Sequence, residues 1–183
     1  MADESTPLKP YGFIIYRGDY SDEARWEQFM AYLKHQTRCG LESEGKDHLY
    51  DRIDWKVISS PDLQDEDPDV IREKFQQWLE SGEEEFDPNS YRHRACIYVN
   101  ECCLDCHDNF IQDKSLENDD PVDLVDTEGF SFAILVSRFE EEGWVMVGTS
   151  YLMPRAGDTI LMQGEGRGWN EIYREEGEVA VRF

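Results

Sequence analysis

Five cysteines and four histidines are the residues of this 183-residue chain best suited to covalent or metal chemistry, and four of the thiols fall between Cys96 and Cys106. Cys103-Leu104-Asp105-Cys106-His107 matches the C-x-x-C-H pattern by which c-type haem is attached through two thioethers, with the histidine as axial ligand. Such attachment accompanies export, and no charged segment followed by an apolar run opens this sequence, so no haem is expected. His93, Cys96, Cys103 and Cys106 have the spacing H-x2-C-x6-C-x2-C, a Cys3His inventory suited to tetrahedral zinc. Residues three apart on a strand point to opposite faces, so His93 and Cys96 converge only if the strand begins after His93. The expectation is therefore no metal and no cofactor, with Cys96 and Cys103 as small core residues. Cys103 and His107 also stand at i and i+4 on a helix, close enough to share a proton. Their neighbours Glu101, Asp105 and Asp108 oppose a thiolate and argue against a catalytic pair.

Other chemistry-bearing residues have plainer roles. The run GEGRG at 164 to 168 has the glycines of a phosphate loop but neither its lysine nor a helix start, and reads as a surface turn. Asp51 and Asp54 would face opposite sides of one strand and cannot act together there. Arg17 and Tyr20 leave the first strand where sheets of this class present binding groups, and with Trp55 they are the candidate ligand-binding residues. An ion pair with a local carboxylate is the competing role for Arg17.

Charge is the largest departure from ordinary composition. Forty-one Asp and Glu face 18 Lys and Arg, a formal net charge of −23. A duplex-binding surface or a polybasic membrane patch needs the opposite sign, so direct contact with nucleic acid or an anionic leaflet is not expected. Basic proteins and cations remain as partners, beside the general effect of carboxylates on solubility. Residues 62 to 87 carry eleven acids against Arg72 and Lys74, and the consecutive Glu83, Glu84 and Glu85 are the candidate acidic partner surface.

The elements that position these residues follow from periodicity. Residues 11 to 20 read as a buried strand closed at Gly18-Asp19. Ser21 caps a helix whose Trp26, Phe29, Met30 and Leu33 repeat at helical spacing, with Gly40 as its end. From 48 to 59 the period is two, with Ile53, Trp55 and Val57 on one face. Asp67-Pro68 opens a second helix with Ile71, Phe75, Trp78 and Leu79 as its apolar stripe. Residues 95 to 99 form a third strand and 101 to 110 a short helix. An acidic, disordered loop is predicted over 113 to 128, then a hairpin of 130 to 139 and 144 to 153. Val179, Val181 and Phe183 alternate as a final strand, and residues 1 to 9 form a flexible N-terminus.

The stretch YGFIIYRGDYSDEARWEQFMAYL, followed by RIDWKVIS, VIREKFQQWL and CIYVNEC, resembles a group of uncharacterised intracellular proteins of filamentous fungi. The resemblance covers residues 11 to 104. It implies a fungal source and an intracellular setting, and no activity, cofactor or catalytic residue.

These elements predict one α+β domain over residues 1 to 183: a mainly antiparallel sheet with two principal helices on one face, loosely ferredoxin-like. The absence of a signal or an apolar span predicts a cytoplasmic protein, with the nucleus as the other open compartment. Two functional classes fit. One is an acidic binding protein that engages a basic protein partner; the other is a small-molecule-binding protein or enzyme with a pocket between sheet and helices. No residue set in the sequence defines a reaction.

Overall fold

A computed structural model describes residues 9–116, 125–164 and 167–181. Six strands make one sheet: β1 (Ile15–Arg17), β2 (Val57–Ser59), β3 (Ala95–Val99), β4 (Phe132–Ser137), β5 (Trp144–Gly148) and β6 (Val179–Ala180). Their order across the sheet is β2-β1-β3-β4-β5-β6. Pairings β1/β2, β1/β3 and β5/β6 are parallel, while β3/β4 and β4/β5 are antiparallel. The fold is thus α+β as expected, but the sheet is mixed rather than mainly antiparallel. A ferredoxin-like chain does not set its first two strands side by side in parallel; this one does, because each is joined to the next by a helix long enough for a crossover.

Three long helices accompany the sheet: α1 (Glu23–Ser43), α2 (Pro68–Glu80) and α3 (Glu101–Leu116). The expected pair on one face gives way to helices on both. Right-handed crossovers from β1 to β2 and from β2 back past β1 to β3 run in opposite directions, which places α1 and α2 on opposite faces. Strand parity agrees. Arg17 lies over the Trp26 ring of α1, while Cys96, of the opposite parity, lies near Arg72 of α2. Helix α3 shares the α1 face, where Phe29 meets His107 edge to face at 5.3 Å.

Local chemistry explains the ends of these helices. Asp22, not Ser21, caps α1 by accepting from the Ala24 amide at 2.8 Å, because the Ser21 hydroxyl donates to Asp19. Asp67 caps α2 with Pro68 in its first turn, as the sequence predicts. Asn100 accepts from the Cys103 amide at the start of α3. Gly40 does not end α1. The helix runs on to Ser43, and a Cβ at position 40 would stand 2.8 Å from the Met153 carbonyl oxygen, so glycine there permits close packing against the chain at 149–160.

Three other expectations change. Residues Asp47–Arg52 form a 3-10 helix, so the strand expected over 48 to 59 shrinks to Val57–Ser59. Its alternation survives only in the extended approach, where Ile53 bridges Tyr11 and Ile53, Trp55 and Val57 are all half-buried at the sheet edge. Helix α3 extends through residue 116, beyond the expected short helix and into the expected acidic loop. At the loop's other end Asp126 is buried and accepts from the amides of Glu128, Gly129 and Ser131, a side-chain-closed turn. The remainder of that loop, at 117–124, lies outside the described residues, as do residues 1–8 and Phe183. Finally, the hairpin forms across Glu140–Gly143, but its second strand stops at Gly148 and the chain turns helical over 149–160.

Candidate functional site

The three consecutive glutamates differ sharply in their surroundings. Glu83 pairs with Lys56 and accepts from the Trp78 indole at 3.2 Å; the lysine holds its carboxyl below the usual range. Glu84 forms a two-point pair with Arg92, at 2.8 Å to Nε and 2.7 Å to Nη2, and Arg92 is 1 % exposed. Arg92 also binds the Asp54 carboxylate at 2.6 Å and lies 3.3 Å from the Gly12 and Asp54 carbonyls. Glu84 therefore neutralises a buried cation. Only Glu85 of the three points to solvent without a side-chain partner among the described residues.

The expected ligand-binding trio is divided between two ends of the sheet. Arg17 and Tyr20 sit together at the carboxyl end of β1: the guanidinium lies 4.8 Å from the Tyr20 ring centroid and pairs with Glu23 at 2.8 Å. The Tyr20 hydroxyl donates to the Arg17 carbonyl and accepts from the Ser60 amide. Beside them lies the buried Asp19. Burial pushes its carboxyl up, but hydrogen bonds from Ser21 and Gln64 outweigh that and hold it below its ordinary value. Trp55 lies two residues before Val57, whereas Arg17 is level with Ser59. Four residues of extended chain separate the two levels, about 13 Å. Trp55 meets Lys34 and Tyr50 instead. The Arg17 and Tyr20 side chains are thus engaged within the fold, by Asp19, Glu23 and Ser60.

The cysteine cluster does not converge either. The strand does begin after His93, at Ala95, yet Cys96 faces α2 while Cys103 and Cys106 belong to α3 on the other side of the sheet. His93 accepts from the Asp87 amide through Nδ1 and faces Glu84 through Nε2 at 3.4 Å. No group of three or more His, Cys, Asp or Glu among the described residues has metal-holding geometry. Burial pushes the Cys103 thiol up to about 12, and His107 bonds Ser131 through Nδ1 at 3.0 Å, which leaves the pair as core structure. The Asp51 and Asp54 pairing fails because Asp54 is engaged by Arg92. GEGRG has residues 165 and 166 outside the described set.

A cleft that the sequence does not single out brings together the chemistry best suited to a partner. It lies along β5, encloses about 330 Å³, and is lined by Trp144, Met146 and Tyr173 with six carboxylates: Asp69, Glu140, Glu142, Glu175, Glu176 and Glu178. Strand β5 carries Trp144 to its wall, the turn Glu140–Glu142 forms one rim, and the segment leading into β6 forms the other. Two of the carboxylates are engaged, Asp69 by Arg72 and Glu142 by Arg94 and Ser137. Glu140, Glu175, Glu176 and Glu178 are exposed, with no side-chain partner among the described residues. The one cation on the lining, Arg174, is turned onto the carbonyls of Glu171 and Tyr173. Tyr173 is 52 % exposed, so an aromatic face stands open beside this field. Two short sequence signals mark the rims: EEEGW at 140 to 144 and YREEGE at 173 to 178, acids beside an aromatic in each.

The chain matches no family model, no curated protein and no solved structure. No helix among the described residues is long and apolar enough to cross a membrane.

Proposed function

We propose that this is a binding protein that engages a basic protein partner, and that it does so by seating a lysine or arginine side chain in the cleft along β5. The observation that carries the reading is the union of aromatic surface, at the half-buried Trp144 and the exposed Tyr173, with four exposed carboxylates that have no side-chain partner among the described residues. An aromatic face attracts a cation by about 0.5 to 2 kcal/mol, and flanking carboxylates add a field that steers its approach. The acidic excess then has a place, distinct from the Glu83 to Glu85 run whose charges are largely matched within the fold. The odd number of cysteines and the clustering of four between Cys96 and Cys106 fit free thiols and a reducing compartment, hence the cytoplasm or nucleus.

The test is calorimetric titration with a lysine- and arginine-rich peptide at low and at physiological salt. Binding should weaken as salt rises, because exposed charges are screened beyond about 8 Å at physiological ionic strength. It should be lost in the combined Glu175→Gln, Glu176→Gln, Glu178→Gln variant and weakened in Tyr173→Ala. Equal binding by wild type and triple variant would refute the reading.

A further inference from the structure

A second histidine and cysteine pair at helical spacing lies on α1, outside the cleft described above. The sulfur of Cys39 is 3.4 Å from His35 Nε2, one turn earlier on the helix. Cys39 also lines a separate cleft of about 280 Å³ between α1 and the 149–160 segment, with Gln36, Gly40, Ser43, Ser150, Tyr151 and Arg155 among its walls. The close approach at Gly40 sets these two elements together. Ser150 donates to Gln36 at 2.9 Å and fixes one wall. Arg155 stands half exposed on another; its Nε reaches Glu44 at 3.2 Å, and its Nη atoms have no ion pair among the described residues.

We infer that Cys39 is a nucleophilic thiol that undergoes exchange with a small, carboxylate-bearing disulfide. A neighbouring imidazole takes the thiol proton, and a thiolate in contact with imidazolium is the form that attacks. The Cys39 sulfur attacks one sulfur of the disulfide, a new S–S bond forms and the old one breaks. The departing thiolate takes the proton held on His35 and leaves as a thiol, so no outside oxidant or reductant enters. Arg155 faces the ligand's carboxylate. Among the described residues, the charged and titratable groups around the pair are Tyr151 and Arg155 from the facing segment, Glu44 and Lys46 beyond the end of α1, and Tyr32 and Asp126 behind Ser150. This site has a different ligand class from the β5 cleft, so either can fail without the other.

The experiment uses the whole native protein and oxidised glutathione as the probe, at pH 6.5 and pH 8, with peptide mapping by mass spectrometry. The mixed disulfide should appear at Cys39 before Cys102, the exposed thiol on α3. His35→Gln should slow that reaction severalfold at pH 6.5, where the imidazole is the group placed to take the thiol proton, and by less at pH 8, where solvent takes it. Arg155→Gln should slow reaction with oxidised glutathione but not with the neutral hydroxyethyl disulfide. Circular dichroism of each variant separates slow exchange from misfolding. Preferential reaction at Cys102, or a His35→Gln rate equal to wild type at pH 6.5 in a folded protein, would overturn the inference.

Discussion

The glutamates at 83 to 85 and those around the β5 cleft are equally acidic as text, yet the fold uses them in opposite ways. The first group lies beside buried or half-buried cations: Glu84 on Arg92, Glu83 on Lys56. The second is gathered from α2, the β4–β5 turn and the approach to β6, with four members left facing an aromatic surface. A run of charge in sequence is therefore a poor guide to a charged surface. What matters is whether the chain returns with a cation, and near residue 84 it returns with the 91–93 turn.

The largest expected effect breaks the comparison on the structural side. Glu84→Gln removes one of the two carboxylates on the buried Arg92 guanidinium, leaving Asp54, and should cost up to about 3 kcal/mol, read as a fall in the urea midpoint without loss of slope. The pair should also appear in the pH profile. Arg92 holds the Glu84 carboxyl below its ordinary value, so its contribution is present above the unfolded carboxylate pKa and lost as pH falls through the depressed one. Glu84→Gln should flatten that acid limb.

His107 gives a second pH signature of nearly similar size, at higher pH. Burial pushes its pKa down to about 4, so the folded state refuses a proton that the unfolded chain accepts near 6.5. Stability is then full above about pH 6.5 and declines as pH falls toward 4, by at most about 3 kcal/mol. Replacing His107 with Gln should remove that decline while the Glu84 limb below it remains. If both variants leave the acid profile unchanged, neither group is held as described.

At the small end lie the exposed acids. Glu85→Gln should leave the midpoint unchanged, and the Glu175, Glu176 and Glu178 triple variant should be no less stable than wild type, since it removes like charges from one rim. Parallel urea titrations check this, and a large loss in the triple variant would mean that these carboxylates are structural too.

Much of the framework was legible because it depends on local pattern. Trp26, Phe29, Met30 and Leu33 announce α1, and Asp67-Pro68 announces the start of α2. Strand pairing was not legible, since β1 and β2 have three residues each and nothing in such short runs distinguishes a parallel neighbour from an antiparallel one. Gly40 looks like a helix end in sequence, but its requirement is contact with Met153, more than a hundred residues away. The site was missed for the same reason: residues 69, 144 and 173 meet only through the sheet. The segment HQTRC was readable, because its His35 and Cys39 have the same helical spacing as Cys103 and His107. The denser cysteine cluster masked it, and only the surroundings tell the cleft pair from the core pair.

The central claim is that a cation is taken at the β5 cleft and not at the Glu83 to Glu85 run. Backbone amide chemical shifts during titration of the uniformly labelled protein with a lysine- and arginine-rich peptide test it most directly. The account predicts saturable shifts concentrated at 140–146 and 173–178, reduced at higher salt, with Glu83, Glu84 and Glu85 nearly still. Shifts centred on Glu83 to Glu85, or spread evenly over all exposed acids, would contradict it.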